Sequence, residues 1–186
     1  MASETEIASN ALTKLGDEPI TSIADDETQR AKLCRRYYYN VRDAVLRAYP
    51  WKCAITQKAL AADVAAPLFG YSFKFQIPNL PYCLRVLKIK DDLDYDIKGR
   101  YIHCDESSII IEYIARITDP GLFDSLLQEA IECRLSAELA YPITGNPTLI
   151  KAMWDLYGAK LREARTMDGM EAPEAPWESN ALIEVR

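Results

Sequence analysis

Few residues of this chain are typed and spaced for chemistry. Its one histidine, His103, lies in a stretch patterned as a hairpin. A Ser-His-Asp device needs an imidazole oriented by an acid beside an exposed nucleophile, and no Gly-x-Ser-x-Gly elbow occurs. A lone histidine without a matched partner points to a structural role. The one dense carboxylate run is Asp91-Asp92-Leu93-Asp94-Tyr95-Asp96. Asp92, Asp94 and Asp96 match the first half of an EF-hand loop. Ile97, however, stands where the sharp turn requires Gly, and His103 where the bidentate Glu belongs. A solvated acidic turn is the expected state, with weak cation binding as the alternative. Glu129 and Glu132 are close along a helix. Glycosidic hydrolysis by paired carboxylates would need one of them in an apolar pocket, and the same spacing equally describes an exposed helix face. The chain has no P-loop and no Gly-x-Gly-x-x-Gly, and glycine is scarce at seven residues. No catalytic residue, metal ligand or cofactor is therefore assigned.

The arginines of one helix are the other charged feature. Arg35 and Arg42 lie two turns apart on nearly one line, and Arg36 and Arg47 roughly three turns apart. They suit phosphates, or acids on a neighbouring copy, or a solvated face with intrahelical pairs such as Arg47 with Asp43. A net charge of −6 argues against non-specific adhesion to DNA by the whole chain, though not against a local basic patch. Cys34, Cys53, Cys83, Cys104 and Cys133 are odd in number and form no Cys-x-x-Cys, which fits neither a disulfide framework nor a zinc site. Buried small hydrophobes in a reducing cytosol are expected. The first residues carry no basic-then-apolar signal, and no stretch is long and apolar enough to span a bilayer.

The elements that must position these residues read as α+β. A length of 186 residues can bury a core without staples. Ser3 and Glu6 form a capping-box pattern before an apolar stripe of Ile7, Ala8, Ala11, Leu12 and Leu15, so a helix is expected over about residues 4 to 15. A second helix opens at Asp25 or Asp26 and runs to about Tyr49, with Leu33, Tyr37, Val41, Val45 and Ala48 as its apolar face and the arginines off it. Pro50 stops it and hands Trp51 to a β-rich segment. From there the period changes to two. Cys53, Ile55 and Gln57 alternate, Ala59 to Ala66 is ambiguous, and Tyr71, Phe73, Phe75 and Ile77 give the clearest strand. A strand over Leu84 to Lys90, a hairpin turning at Lys98-Gly99 and a closing β-branched run over Ser108 to Ile114 complete a small antiparallel sandwich or barrel. Asp119-Pro120 restarts helix, Tyr141-Pro142 ends it, and Asn146-Pro147 opens the last one.

The expected organisation is a bundle of four main helices over 1–50 and 117–167, an inserted β domain over 51–116, and an extended C-terminal arm over 168–186. The arm has two prolines and acids, yet carries Trp177, Leu182, Ile183 and Val185. These suit anchors that order on a partner surface, or a frayed end folded back on its own domain.

Several blocks resemble one family. Ile7-Ala-Ser-Asn-Ala-Leu-Thr-Lys-Leu-Gly16 is similar to the opening helix of phage head-to-tail adaptors, the tail tubular protein A family of short-tailed phages, related to packaged-DNA stabilisation and head-closure proteins. Tyr38-x-x-x-Arg42-Asp-Ala-Val-Leu-Arg47-Ala-Tyr-Pro-Trp51 is the specific part, followed by Tyr71-x-Phe-x-Phe-Gln-Ile-Pro78, Cys83-Leu-Arg-Val-Leu87 and Asp119-Pro-Gly-Leu-Phe-Asp124. The resemblance covers nearly the whole chain, weakest over 59–68 and the arm. Tyr49 and Cys53 depart from it, with His and an aromatic expected there. It implies a structural protein of the virion neck, made in the host cytoplasm, with no enzymatic role. Such proteins form a twelvefold ring between the portal protein and the tail nozzle protein, extending the channel through which packaged DNA passes without sequence-specific binding. The arm, through Trp177, Leu182, Ile183 and Val185, would engage the portal. Arg35, Arg36, Arg42 and Arg47 would set subunit register. The alternative is a virion-associated peptidoglycan hydrolase acting through Glu129 or Glu132. A DNA-binding regulator using the second helix is a weaker third.

Overall fold

The computed structural model describes residues 3–171; the arm anchors Trp177, Leu182, Ile183 and Val185 lie outside the described residues. The architecture is α+β, four helices with two small antiparallel three-stranded sheets inserted between the second and third helix. Among the described residues no helix is long and apolar enough to cross a membrane.

Helix α1 (Glu4–Lys14) is capped by the Ser3 hydroxyl, which accepts from the Glu6 N–H at 3.1 Å. Its expected stripe is buried through Ile7, Ala8, Ala11 and Leu12. Helix α2 (Gln29–Ala48) starts later than the aspartates suggest, behind a Thr28 cap. Asp26 instead organises the preceding loop: its carboxylate accepts from the Thr28 N–H at 2.8 Å and the Thr21 N–H at 3.2 Å. An Asx turn thus competes with the cap for the same side chain. The buried face of α2 is also rotated from expectation. Ala31, Cys34, Tyr38, Val41, Val45 and Leu46 are buried, whereas Leu33 and Tyr37 are half-buried and Ala48 is exposed.

After Pro50 the chain makes a 3-10 turn (Lys52–Ala54), so the first strand, β1 (Ile55–Ala61), starts beyond Cys53 and absorbs Ala59, Leu60 and Ala61 of the ambiguous alanine run. The others are β2 (Phe73–Gln76), β3 (Cys83–Ile89), β4 (Asp96–Lys98), β5 (Tyr101–Cys104) and β6 (Ser108–Ala115). Sheet A has the order β1-β6-β3 and sheet B the order β2-β5-β4. The β-branched β6 is therefore the centre of sheet A, not a closing edge. It is the strand with neighbours on both sides, where β-branched side chains pack best. The β4–β5 hairpin turns at Gly99, whose φ of +64° suits glycine. Phe75, Ile102 and Cys104 of sheet B share a buried cluster with Cys83, Ile89, Ile111 and Tyr113 of sheet A, making a small two-layer insert.

Asp119 and Pro120 make a 3-10 turn (Pro120–Leu122); the helix cap is Asp124, accepting from the Leu126 N–H at 2.7 Å. Helix α3 (Ser125–Thr144) runs through Pro142 and stops at Gly145, whose φ is +59°. Proline removes the donor to the Glu138 carbonyl, but the turn beyond it is held: Thr144 Oγ1 donates to the Ala140 carbonyl and the Gly145 N–H to Tyr141. Leu127, Ile131, Leu135 and Leu139 are wholly buried, so α3 is the axis of the helical core. Helix α4 (Pro147–Met170) opens on the expected Asn146 cap and packs mainly on α3. Only Ala164 is fully buried there; Leu149, Ile150, Met153, Leu156, Tyr157 and Leu161 are half-buried.

Candidate functional site

The Arg42–Trp51 block lies at the seam between helical body and β insert. Trp51 is buried beneath the end of α2, and its indole N–H donates to the Val45 carbonyl at 3.0 Å, satisfying a helix-terminal acceptor. Arg47 donates to the Leu84 carbonyl in β3. Asp43 takes the Arg42 guanidinium at 2.9 Å on one oxygen and Arg116, just past β6, on the other. The seam is closed from a third side by the end of α4: the Lys52 N–H donates to Asp168 at 3.1 Å, and the Tyr49 hydroxyl donates to the Arg165 carbonyl at 3.3 Å. Tyr82 sits between two cations, with the guanidinium of Arg100 at 4.4 Å and that of Arg116 at 4.2 Å from its ring centre. Tyr82, Arg100 and Arg116 carry no local signal, because their partners are distant in sequence.

The four α2 arginines divide. Arg42, placed off the apolar face by its sequence pattern, is buried at 4% exposure, held by Asp43 and 3.9 Å from Glu4. Asp43 takes Arg42 and Arg116 in place of Arg47. Arg35 donates to the carbonyls of Ile23 and Asp26, tying down the connector before α2. Arg47 is committed to Leu84. Arg36 is exposed and forms no ion pair among the described residues. Of the four, Arg36 alone has a side chain without a partner among the described residues.

Glu132 does not lie on an exposed face. It is 5% exposed, and its carboxylate takes Lys14 at 2.9 Å, Asn10 at 2.9 Å and Gln128 at 3.1 Å. Glu129 pairs with Lys160 of α4 at 3.1 Å. The two acids are spent joining helices rather than facing a common cleft. Lys160, bonded to Glu163 and Glu129, has its pKa raised by those two bonds. His103 is half-buried on the outer side of sheet B, its Nδ1 without a hydrogen-bond partner. Asp91 and Asp92 have φ of +65° and +48° in a 3-10 turn (Lys90–Asp92). Among the described residues no three His, Cys, Asp or Glu side chains gather to hold a metal ion.

Four cysteines are buried as expected, and burial pushes the Cys34 thiol up to about 11. Cys53 corrects that expectation: it is exposed, on the 3-10 turn after Trp51. The body beside it still withdraws enough water to raise its pKa. The loop after β1, ambiguous in sequence, leaves Val64 and Leu68 fully exposed and Phe69 79% exposed.

No known family model matches the chain, and no curated protein matches it.

Proposed function

We propose that this chain is a structural head-to-tail adaptor of a phage virion, forming a ring between portal and tail nozzle that extends the DNA channel and helps retain packaged DNA. The observation that carries the reading is where the most specific resembling block falls. Asp43 and Arg47 bond across the seam that fastens the β insert to the helical body, to Arg116 and to the Leu84 carbonyl, Arg42 holds Asp43 in place, and Trp51 lies beneath. Those residue types at that spacing make a rigid joint between two parts, which is what an adaptor between two unlike partners requires. The acidic balance of the chain adds support. A conduit with a negative bore does not hold phosphates by counterion release as a positive one does. The adaptor is made in the host cytoplasm and resides in the virion neck.

The test is assembly. Purified chain mixed with its portal protein is expected to give rings on the portal, visible by electron microscopy, and deletion of the part of the arm beyond Glu171, residues 172–186, which leaves the Asp168 contact in place, is expected to abolish docking. Absence of rings with the full chain would overturn the reading. Peptidoglycan hydrolysis gains no specific observation, since both carboxylates that it would use are already held by lysines. Measured lytic activity abolished by Glu129→Gln or Glu132→Gln would restore it.

A further inference from the structure

Three arginines meet on β3, an edge strand of sheet A. Arg47 of α2 and Arg100, from the turn between β4 and β5, donate to adjacent carbonyls of that strand: Arg47 to Leu84, and Arg100 to Cys83 at 3.1 Å. Arg85 is the next residue along. The three line one cleft of about 180 Å³, whose other walls include the buried Ile77 and Cys83. Among the described residues no carboxylate lines it. Elsewhere the chain answers its arginines with acid: Arg30, Arg42, Arg116 and Arg134 each have a carboxylate within 3.1 Å. With 28 acidic residues against 22 basic ones, acids are not short. Yet Arg47, Arg85 and Arg100 form no ion pair among the described residues, and the Arg85 side chain makes no hydrogen bond there either. A carbonyl is a neutral partner, so it orients a guanidinium without cancelling its charge. The Cys83 thiol feels the same field. Burial raises its pKa, and the charges that oppose the rise are Arg100 and Arg47, with no carboxylate acting on it.

We infer that this cleft binds a phosphate group. The inference goes beyond the adaptor reading and does not rest on it. Like charges around one opening repel one another, and a bound anion relieves that repulsion. Guanidinium donors match phosphate oxygens, and such charge-assisted bonds are about twice as strong as neutral ones. Arginines from three separate elements suit a tetrahedral group with oxygens in several directions, whereas a planar carboxylate offers two. The apolar floor at Ile77 and Cys83 lowers the local dielectric and strengthens the attraction. Size selects as well. Pockets for small organic ligands run to roughly 300–1,000 Å³. At about 180 Å³ this cleft takes an ionic head and leaves the rest of a larger molecule outside. Arg47 is exposed, so the opening is reached from solvent. The same chemistry is carried by free phosphate, by a phosphate ester and by the phosphodiester of a nucleic-acid backbone.

Calorimetric titration of the full chain with inorganic phosphate, at low ionic strength in an amine buffer, tests this. Binding is expected, and Arg85→Gln is expected to weaken it about tenfold or more with an unchanged circular dichroism spectrum. Arg85 is chosen because its side chain holds no other part of the fold. Arg85→Lys keeps the charge and is expected to restore part of the loss. Arg162→Gln, at an exposed arginine of α4, is expected to change binding by less than about twofold. Sulfate is expected to displace phosphate, and acetate to leave it bound. A second arm titrates a short DNA duplex without terminal phosphates. Duplex binding that falls with Arg85→Gln assigns the site to a nucleic-acid backbone; phosphate binding without duplex binding assigns it to free phosphate or a phosphate ester. Binding of neither ligand, an equal loss in Arg85→Gln and Arg162→Gln, binding that Arg85→Gln leaves unchanged, or acetate competing as well as sulfate overturns the inference. The ring experiment on the portal tests the adaptor reading separately.

Discussion

The helical body and the β insert treat their awkward residues in opposite ways. In the body, charge that falls on a buried face is matched: Arg42 by Asp43, Glu132 by Lys14, Asn10 and Gln128. The packed faces of α1, α2 and α3 are covered, with Tyr39 and Tyr141 exposed at their margins, and α4 is left half-clad. In the insert the two sheets share a small core, and surplus apolar side chains are left at the margin on Val64, Leu68, Phe69 and Ile110. A part whose buried charges are answered is built to hold still. A part with bare apolar margins is built to be touched. The seam at Trp51 lets the first position the second.

The sharpest way to break this contrast is at the seam. Trp51→Ala removes a large buried side chain and its bond to Val45, and is expected to cost about 3–5 kcal/mol in urea unfolding. A cost under about 1 kcal/mol would mean the two parts are not fastened there. Next comes the matched charge of the body. Glu132→Ala leaves Lys14 and Asn10 without their acceptor and is expected to cost about 3 kcal/mol by the same measurement. The thiols sharpen the contrast by accessibility. At pH 8 a thiol reagent is expected to modify Cys53 alone in the folded protein, more slowly than a free cysteine, and the other four only on unfolding.

A smaller effect is expected from acid. The Thr28 N–H, then the Thr28 hydroxyl, hold the Asp26 carboxylate down to about 2. A depressed carboxylate contributes stability that is present above its unfolded value near 3.8 and is lost as pH falls toward 2. Asp26→Asn is therefore expected to flatten the decline in melting temperature across that window and to change nothing at pH 7 to 8 beyond a constant offset. The smallest effect belongs to the margin. Leu68→Asp with Phe69→Asp is expected to leave folding stability within about 0.5 kcal/mol, since neither side chain packs on the core. A larger loss would return the loop to the fold and remove it from the surface.

Much of the fold is legible because its signals are local. Ser3, Asn146 and Gly99 sit where cap and turn chemistry demand, and Leu127 to Leu139 recur at a helical period. Phe75 and Ile77 alternate inward as a strand should. The hidden features depend on partners far along the chain. Arg42 reads as a surface cation because Glu4 and the shared Asp43 complete it only in the folded state. Glu132 reads as solvated because Asn10 and Lys14 lie more than a hundred residues away. Pro142 reads as a stop because the threonine and glycine that rescue its turn carry no obvious signal beforehand. The margin of the insert is hidden for a different reason: Ala-Ala-Pro-Leu-Phe has no period from which burial can be read.

The last turn of α4 has a mechanical consequence. Asp168 grips the Lys52 amide and Arg165 the Tyr49 hydroxyl, so the rod formed by this helix is pinned at its far end to the hinge side of the insert. A pull on the chain beyond Glu171 would travel into that pin before it stretched the bundle. Strain that enters at Glu171 therefore reaches the junction with the sheets within about one helical turn.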